Sequence, residues 1–267
     1  MNDINFALTI VKETTSTNDD IEALLNSDIA RDAGLLNFCG YSVLAFTQSA
    51  GRGRFERRWD SQYGGLYLST LLFKDTLGNA FNFNMIVIIT ALSALQAIEK
   101  YAGNGALNIK WPNDIIGGNK KICGILTKAL AGLPGTPLII GFGVNVFNKI
   151  DSNVLRNSCV LEPVNLEELA STKFNENDIT TLAAEILTRL NHNLKKAAED
   201  GYAEIFADYN SKLLYAGENI TLYNRIEDGV KMAEGRFHGI DENGFLLIED
   251  TTCGKIKTYP AGEIKKL

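Results

Sequence analysis

The chain has 267 residues, 45% of them hydrophobic, with 26 basic and 32 acidic side chains and a formal charge of −6. That length suits one large domain, or a large and a small one, with enough apolar residues for a sizeable core. The acidic balance argues against a general nucleic-acid-binding surface, which needs a broad basic face.

Leu8 to Val11 reads as a short strand. Thr15-Ser16-Thr17-Asn18-Asp19 then supplies hydroxyls and carboxylates that favour a helix N-cap, and a helix is expected from about Asp19 to Asn26. Tyr41 to Thr47 is the next strand. After an arginine-rich loop, Gly64-Gly65 turns the chain into Leu66 to Phe73, apolar on both faces and therefore expected at the centre of a sheet. Phe83 to Tyr101 predicts a long core helix, stopped by Gly103-Asn104-Gly105. Leu107 to Trp111 predicts a strand ending at Pro112, and Gly117-Gly118-Asn119-Lys120 marks a reversal. Lys121 to Leu130 and Pro137 to Val146 follow as strands, joined as a hairpin through Gly132 to Gly135. Residues 165–210 carry a helical pattern, with Leu182, Ile186, Leu187, Leu190 and Leu194 in phase. From Gly217 the texture changes to short strands: Ile220 to Tyr223, Val230 to Phe237, Phe245 to Glu249 and Ile256 to Tyr259. Asp228-Gly229 and Glu242-Asn243-Gly244 are turns between them. The pattern predicts an α+β fold, a mixed and mainly antiparallel sheet with packed helices, followed by a small β-barrel. The expected domains are residues 1–215 and 216–267.

Gly51-Arg52-Gly53-Arg54-Phe55-Glu56-Arg57-Arg58-Trp59 concentrates four arginines and two glycines in nine residues of an acidic chain. Glycine lets backbone N–H groups approach a ligand closely. Arginine presents a planar fork that matches phosphate or carboxylate oxygens. The segment reads as an anion-binding loop or as a solvated basic loop tip. Lys110-Trp111-Pro112-Asn113-Asp114 is the second cluster. Asn113 and Asp114 are candidate oxygen ligands for Mg²⁺, or the polar residues of an Asx turn. Lys121 opens an apolar strand, as a charge-stabilising ammonium or as an exposed strand-end charge. Ser16, Thr17 and Asn18 with Gln48 could hold a neutral polar head group, or simply cap a helix. Gly141-Phe142-Gly143 is half of a dinucleotide fingerprint and reads as a close approach of backbone to backbone or ligand. There is no Walker-type phosphate loop, and with two histidines and no Ser/Asp arrangement around them a hydrolytic triad is not expected.

Cys39, Cys123, Cys159 and Cys253 form no CxxC pair, and only His192 and His238 could join them, so a structural zinc is not expected. Scattered cysteines fit reduced thiols and a cytoplasmic location. The N-terminus lacks the features of a signal peptide. The most apolar run, Met85 to Ile98, is too short to cross a bilayer and is interrupted by Thr90, Ser93 and Gln96, so no membrane partner is expected.

Ser16-Thr17-Asn18, Gln48 with Gly51-Arg52-Gly53-Arg54, Lys110 to Asp114, Lys121-Ile122-Cys123-Gly124-Ile125-Leu126 and Gly143-Val144-Asn145 occur in that order. Together they resemble the biotin–protein ligase (biotin–[acetyl-CoA-carboxylase] ligase) family over essentially the whole chain. The resemblance implies the class II synthetase and biotin–lipoyl ligase type of fold, with a C-terminal SH3-like barrel. It implies activation of biotin by ATP to biotinyl-5′-adenylate, with Mg²⁺, and transfer to a lysine of a biotin carboxyl carrier protein, that of acetyl-CoA carboxylase or a related carboxylase.

Carried over by motif, Ser16, Thr17, Asn18, Gln48, Gly51, Arg52, Gly53, Gly124 and Gly143 would bind biotin. Arg54 and Lys121 would bridge the biotin carboxylate and the α-phosphate. Arg57, Trp59, Lys110, Asn113 and Asn145 would bind ATP, and Asn113 and Asp114 would serve Mg²⁺. Asp114 would also orient or deprotonate the incoming lysine. The arginine loop would close over the adenylate and keep water out. Glu56, where a glycine is common, and Lys128, where an acidic residue is common, depart from the family pattern. Because the catalytic pattern begins within the first ten to twenty residues, no DNA-binding domain and no DNA partner are expected. The chain is expected to be a monomer or a homodimer joined through a sheet edge. A lipoate–protein ligase shares the adenylation logic and is the nearest rival. A catalytically weak biotin sensor is a rival of another kind.

Overall fold

The computed structural model describes residues 3–78, 81–103, 107–150, 161–251 and 253–267. Asn104 and Gly105 of the expected helix stop, and Cys159, lie outside the described residues. Short runs, most of them rich in leucine, isoleucine and valine, form the strands of a seven-stranded sheet. In chain order these are β1 (Ala7–Thr14), β2 (Tyr41–Gln48), β3 (Gly65–Phe73), β4 (Leu107–Lys110), β5 (Asp114–Gly117), β6 (Lys120–Ala129) and β7 (Pro137–Asn145). Their order across the sheet is β1-β2-β3-β7-β6-β5-β4, with β1 parallel to β2 and every other pair antiparallel. The mixed, mainly antiparallel sheet expected from the sequence is present. β3 is buried along its whole length, as its two apolar faces require.

β5 was not foreseen, because a four-residue strand between a proline turn and a glycine turn carries almost no periodic signal. The reversal at Gly118 and Asn119 joins β5 to β6, and both residues are left-handed, with φ of 57° and 65°. A Gly-Asn pair, both residue types that tolerate positive φ, suits that hairpin turn.

The helices are α1 (Thr17–Leu25), α2 (Asp28–Ala33), α3 (Lys74–Leu77), α4 (Met85–Glu99), α5 (Leu166–Ala170), α6 (Glu176–Glu199) and α7 (Ala203–Ser211). One sheet face buries Leu66, Leu68, Leu72, Phe142 and Val144 in a core that includes α4 and α6. At one end of the other face, Val43, Leu71, Phe73 and Ile139 pack with Ile21 and Leu25 of α1. The rest of that second face is left for a site.

A five-stranded antiparallel sheet follows, built from β8 (Asn219–Tyr223), β9 (Lys231–Ile240), β10 (Leu246–Glu249), β11 (Ile256–Tyr259) and β12 (Glu263–Lys266). Its order is β11-β10-β9-β8-β12. β12 was missed in the sequence, since Glu-Ile-Lys-Lys offers a single apolar residue. The inward side chains Ile220, Leu222, Phe237, Leu246 and Ile264 belong to the same core cluster as the large sheet.

Two hydrogen bonds brace the turn at Trp111 and Pro112. Trp111 Nε1 donates to Gly244 O at 3.1 Å, between β9 and β10, and Tyr209 Oη of α7 donates to Pro112 O at 3.0 Å. Tyr209 is fully buried, which raises the pKa of its phenol well above the ordinary value. Replacing Tyr209 with Phe is expected to cost about 1 kcal/mol of stability, the typical net worth of one buried hydrogen bond. Urea unfolding of the variant against the wild-type chain measures this.

Candidate functional site

Residues directly opposite one another on neighbouring strands project to the same sheet face. One such row runs Lys110, Asp114, Gly124, Gly143, Tyr67, from β4 across β5, β6 and β7 to β3. A second row runs Leu126, Gly141, Ser69. The rows place charges at one end, two pairs of small residues in the middle and a hydroxyl network at the other end. All of these residues line one pocket.

Lys121 reaches this face through a defect in the ladder. Ile115 pairs with Cys123, yet the next residue, Ile116, pairs with Lys121, which leaves Ile122 as the extra residue of a β-bulge. Strict alternation would have sent Lys121 to the face of Cys123 and Ile125, both in the core. The bulge turns it to the pocket instead. There its Nζ lies 2.8 Å from Asp114 Oδ1 and 5.1 Å from the centre of the Trp59 ring. Its backbone is fixed by Lys121 N donating to Glu162 O at 2.7 Å and Val164 N donating to Lys121 O at 3.0 Å. Cys123, facing the core, is fully buried, and burial raises the pKa of its thiol.

The arginine loop folds as a small hairpin. Gly53 N donates to Arg57 O at 2.7 Å and Trp59 N to Gly51 O at 2.9 Å. At its tip Phe55 and Glu56 are left-handed, with φ of 57° and 62°. A left-handed residue other than glycine costs about 1–2 kcal/mol, which explains why a glycine would suit position 56. Arg54 donates to Asn113 Oδ1 at 3.0 Å, and Asn113 Nδ2 donates to Ile125 O at 2.6 Å. Burial pulls the pKa of Arg54 down, opposed by the charges of Asp114 and Glu263. Arg57 donates to both oxygens of Glu263 on β12, at 2.5 and 2.8 Å, and also to Glu227. Those hydrogen bonds, that to Glu263 foremost, raise its pKa against the opposing effect of burial. Burial pushes Glu263 up, but the bonds from Arg57 and from Ile226 N outweigh it and hold the carboxyl below its usual range. Lys110 has its pKa lowered, first by burial, with Lys121 adding repulsion.

At the polar end, Thr17 N and Oγ1 both donate to Gln48 Oε1, at 2.8 and 3.2 Å. Thr17 Oγ1 lies 2.7 Å from Ser69 Oγ, and Ser69 Oγ donates to Asn18 Oδ1 at 2.6 Å. Gln48 Nε2 donates to Ser61 Oγ at 3.0 Å. The Trp59 indole lies over the glycine rows. A Cβ on Gly143 would stand 2.8 Å from its Nε1, and one on Gly124 2.8 Å from its Cζ3. Trp59 Nε1 is buried and has no hydrogen-bond partner among the described residues.

Thr17, Asn18, Gln48, Arg52, Gly53, Arg54, Arg57, Trp59, Lys110, Asn113, Asp114, Lys121, Gly124, Gly143 and Asn145 all line the pocket. Ser16 and Gly51 are not among the lining residues. Ser16 is the buried N-cap of α1 and makes no side-chain cap bond. Gly51 packs beneath the loop, where a Cβ would fall 2.2 Å from Ser61 Oγ. Arg52 is paired with Asp19 at 2.8 Å, and Asn145 Oδ1 accepts from Asn148 Nδ2 at 3.1 Å. Ser69, Glu227 and Glu263 were missed. Ser69, a polar residue in an apolar strand, was a readable signal, while the two glutamates come from distant sequence and gave none.

The Asn113 amide oxygen accepts from Arg54 and Asp114 is paired with Lys121. Among the described residues no group of three His, Cys, Asp or Glu side chains converges to hold a metal.

A basic pocket set on a mainly antiparallel sheet, with helices behind it, defines an α+β protein of the biotin- and lipoate-ligase class. Residues 40–145 match the Biotin/lipoate A/B protein ligase family and residues 216–267 the Biotin protein ligase C terminal domain, so the chain belongs to this family. It is 32% identical over 224 residues to the bifunctional ligase/repressor BirA of Bacillus subtilis, covering 83% of this chain and 65% of that protein. The chain thus spans about 65% of the length of that relative. It is 28% identical over 224 residues to the biotin–[acetyl-CoA-carboxylase] ligase of Paracoccus denitrificans, covering 83% of this chain and 88% of that one. The biotin protein ligase from Aquifex aeolicus, solved in complex with biotin and ATP, superposes with a TM-score of 0.74 at 29% identity, over 97% of each chain. No helix among the described residues is long and apolar enough to cross a membrane.

Two outcomes follow from this geometry. Gly143→Ala forces the indole off the sheet, and a stability loss of about 1–3 kcal/mol is expected for such overpacking. Its tryptophan fluorescence is expected to shift to the red. For Lys110, a folded pKa below the unfolded one means the unfolded chain binds more protons between the two values. Stability therefore rises with pH through that window, up to the ordinary lysine value. Lys110→Met is expected to raise the melting temperature at neutral pH, by an increment that shrinks as pH climbs through the same window. Thermal melts across alkaline pH check this.

Proposed function

We propose that this chain is a biotin–protein ligase, with residues 1–215 as its catalytic domain and 216–267 as a C-terminal domain. In the first step a biotin carboxylate oxygen attacks the α-phosphorus of ATP. The bond from that phosphorus to the bridging oxygen of pyrophosphate breaks, giving biotinyl-5′-adenylate and pyrophosphate. In the second step the amine of an acceptor lysine attacks the acyl carbon, an amide forms, AMP leaves and the lysine nitrogen gives up its proton. The acceptor is a biotin carboxyl carrier protein of acetyl-CoA carboxylase or a related enzyme.

The observation that carries this reading is the convergence of Arg54, Lys110 and Lys121 on one face of the sheet beside Asp114. Two anions repel one another, and cations fixed in place beforehand offset that repulsion without reorganisation during the reaction. Arg54 and Lys121 are assigned to the carboxylate and the α-phosphate. Arg57, Lys110, Asn113 and Asn145 are assigned to the nucleotide, with Trp59 as an apolar wall. The Thr17, Asn18, Gln48 and Ser69 network supplies donors and acceptors suited to a ureido ring. Gly124 and Gly143 leave room for the Trp59 indole, and Gly53 is assigned to the ligand. Asp114 is assigned to orient or deprotonate the incoming lysine. Mg²⁺ is assigned to the substrate: it arrives on the ATP phosphates, which supply most of its ligands.

ATP–pyrophosphate exchange with biotin, lipoate and octanoate in parallel tests the reading. Exchange is expected with biotin alone, and Lys121→Ala is expected to lower it about 100-fold or more, the scale of losing one charge-stabilising donor. Exchange with lipoate or octanoate instead of biotin would overturn the biotin assignment.

A further inference from the structure

We propose that Arg225 is a positioning residue for the anion site, holding the arginine loop down through the ring of Phe55. The Phe55 ring has three guanidinium groups around it: Arg225 at 4.7 Å, Arg54 at 4.8 Å and Arg57 at 5.4 Å from its centre. Two of these cations belong to the loop itself. Arg225 comes from the segment after β8, directly before Ile226 and Glu227, which line the pocket. A cation over an aromatic face is attracted by the ring quadrupole. Phe55 therefore links the tip of the loop to the C-terminal sheet.

The contact has a task that the local sequence makes necessary. Phe55 and Glu56 are both left-handed, a conformation that side chains other than glycine resist and that persists only when surrounding contacts impose it. Arg57 is held by Glu263 and Glu227. Arg54, which points to Asn113, has no carboxylate of its own within ion-pair distance among the described residues. Arg225 likewise is in no ion pair among the described residues. Its contact with Phe55 fixes the residue next to Arg54, so that Arg54 faces the pocket before any anion arrives. Preordering of this kind lowers the cost of binding.

The test uses the full chain without ligand and the protease that cuts after glutamate, here Glu56, so that arginine replacements do not alter the cleavage site. Arg225→Ala and Phe55→Leu are each expected to speed cleavage after Glu56 about fivefold, with the double variant no faster than either single one, as for two residues acting through one contact. Arg225→Lys, which keeps a cation over the ring, is expected to stay near wild type. Unchanged cleavage in Arg225→Ala, or additive effects in the double variant, would overturn the proposal. This arm needs no catalytic assignment. A kinetic arm rests on the adenylation reading: in pyrophosphate exchange, Arg225→Ala is expected to raise KM for ATP about fivefold with kcat little changed. Wild-type KM together with a lowered kcat would count against positioning. Absence of exchange by the wild-type chain would overturn the adenylation reading and leave the cleavage result standing.

Discussion

Cations drawn out of water need counter-charges, and Asp114 and Glu263 meet that need in this pocket. Asp114 pairs with Lys121 at 2.8 Å, and Glu263 takes both arms of Arg57. Removing either carboxylate would strand a partly buried charge, which costs far more than an exposed ion pair gains. Among the described residues Arg54 and Lys110 are not paired in this way, and burial lowers the pKa of both. The pocket thus carries an excess of positive charge that an anionic ligand would complete.

The sheet makes that arrangement possible. A row of side chains that begins with Lys110 and Asp114 would ordinarily continue with bulky residues. Gly124 and Gly143 interrupt it instead, and the Trp59 indole lies in the gap. The bulge at Ile122 then brings Lys121 onto the same face while Cys123 and Ile125 stay in the core. The braces at Trp111 and Pro112 reach from this turn to the second sheet and to α7. The C-terminal sheet therefore takes part in the site, through Glu263 to Arg57, through Gly244 to Trp111 and through the Gly262 carbonyl to Arg54.

The sequence was most legible where one short segment contains both its chemistry and its geometry. The arginine loop, Lys110 to Asp114, and the glycines of β6 and β7 are of this kind, and they line one pocket. The central strand and the long core helix were legible for a similar reason, since their apolar patterns are local. Ser16 and Gly51 belong to the same segments but are not among the residues that line the pocket; which of two adjacent residues reaches it is decided by packing. β5 and β12 are too short for periodicity to show. Ile122 reads as an ordinary strand residue, because a bulge is defined only by its partner strand. Glu227, Glu263 and Arg225 lie more than 160 residues from the loop they touch, and composition gives no sign of such a contact.

The most direct test of the central claim, that this pocket brings a carboxylate onto the α-phosphate of ATP, is identification of the products of a single turnover. Purified protein is mixed with biotin and less than one equivalent of ATP, without acceptor, quenched and analysed by mass spectrometry. The account predicts biotinyl-5′-adenylate and pyrophosphate. ADP with inorganic phosphate would contradict it, because attack at the γ-phosphorus would place the reacting charge away from Arg54 and Lys121.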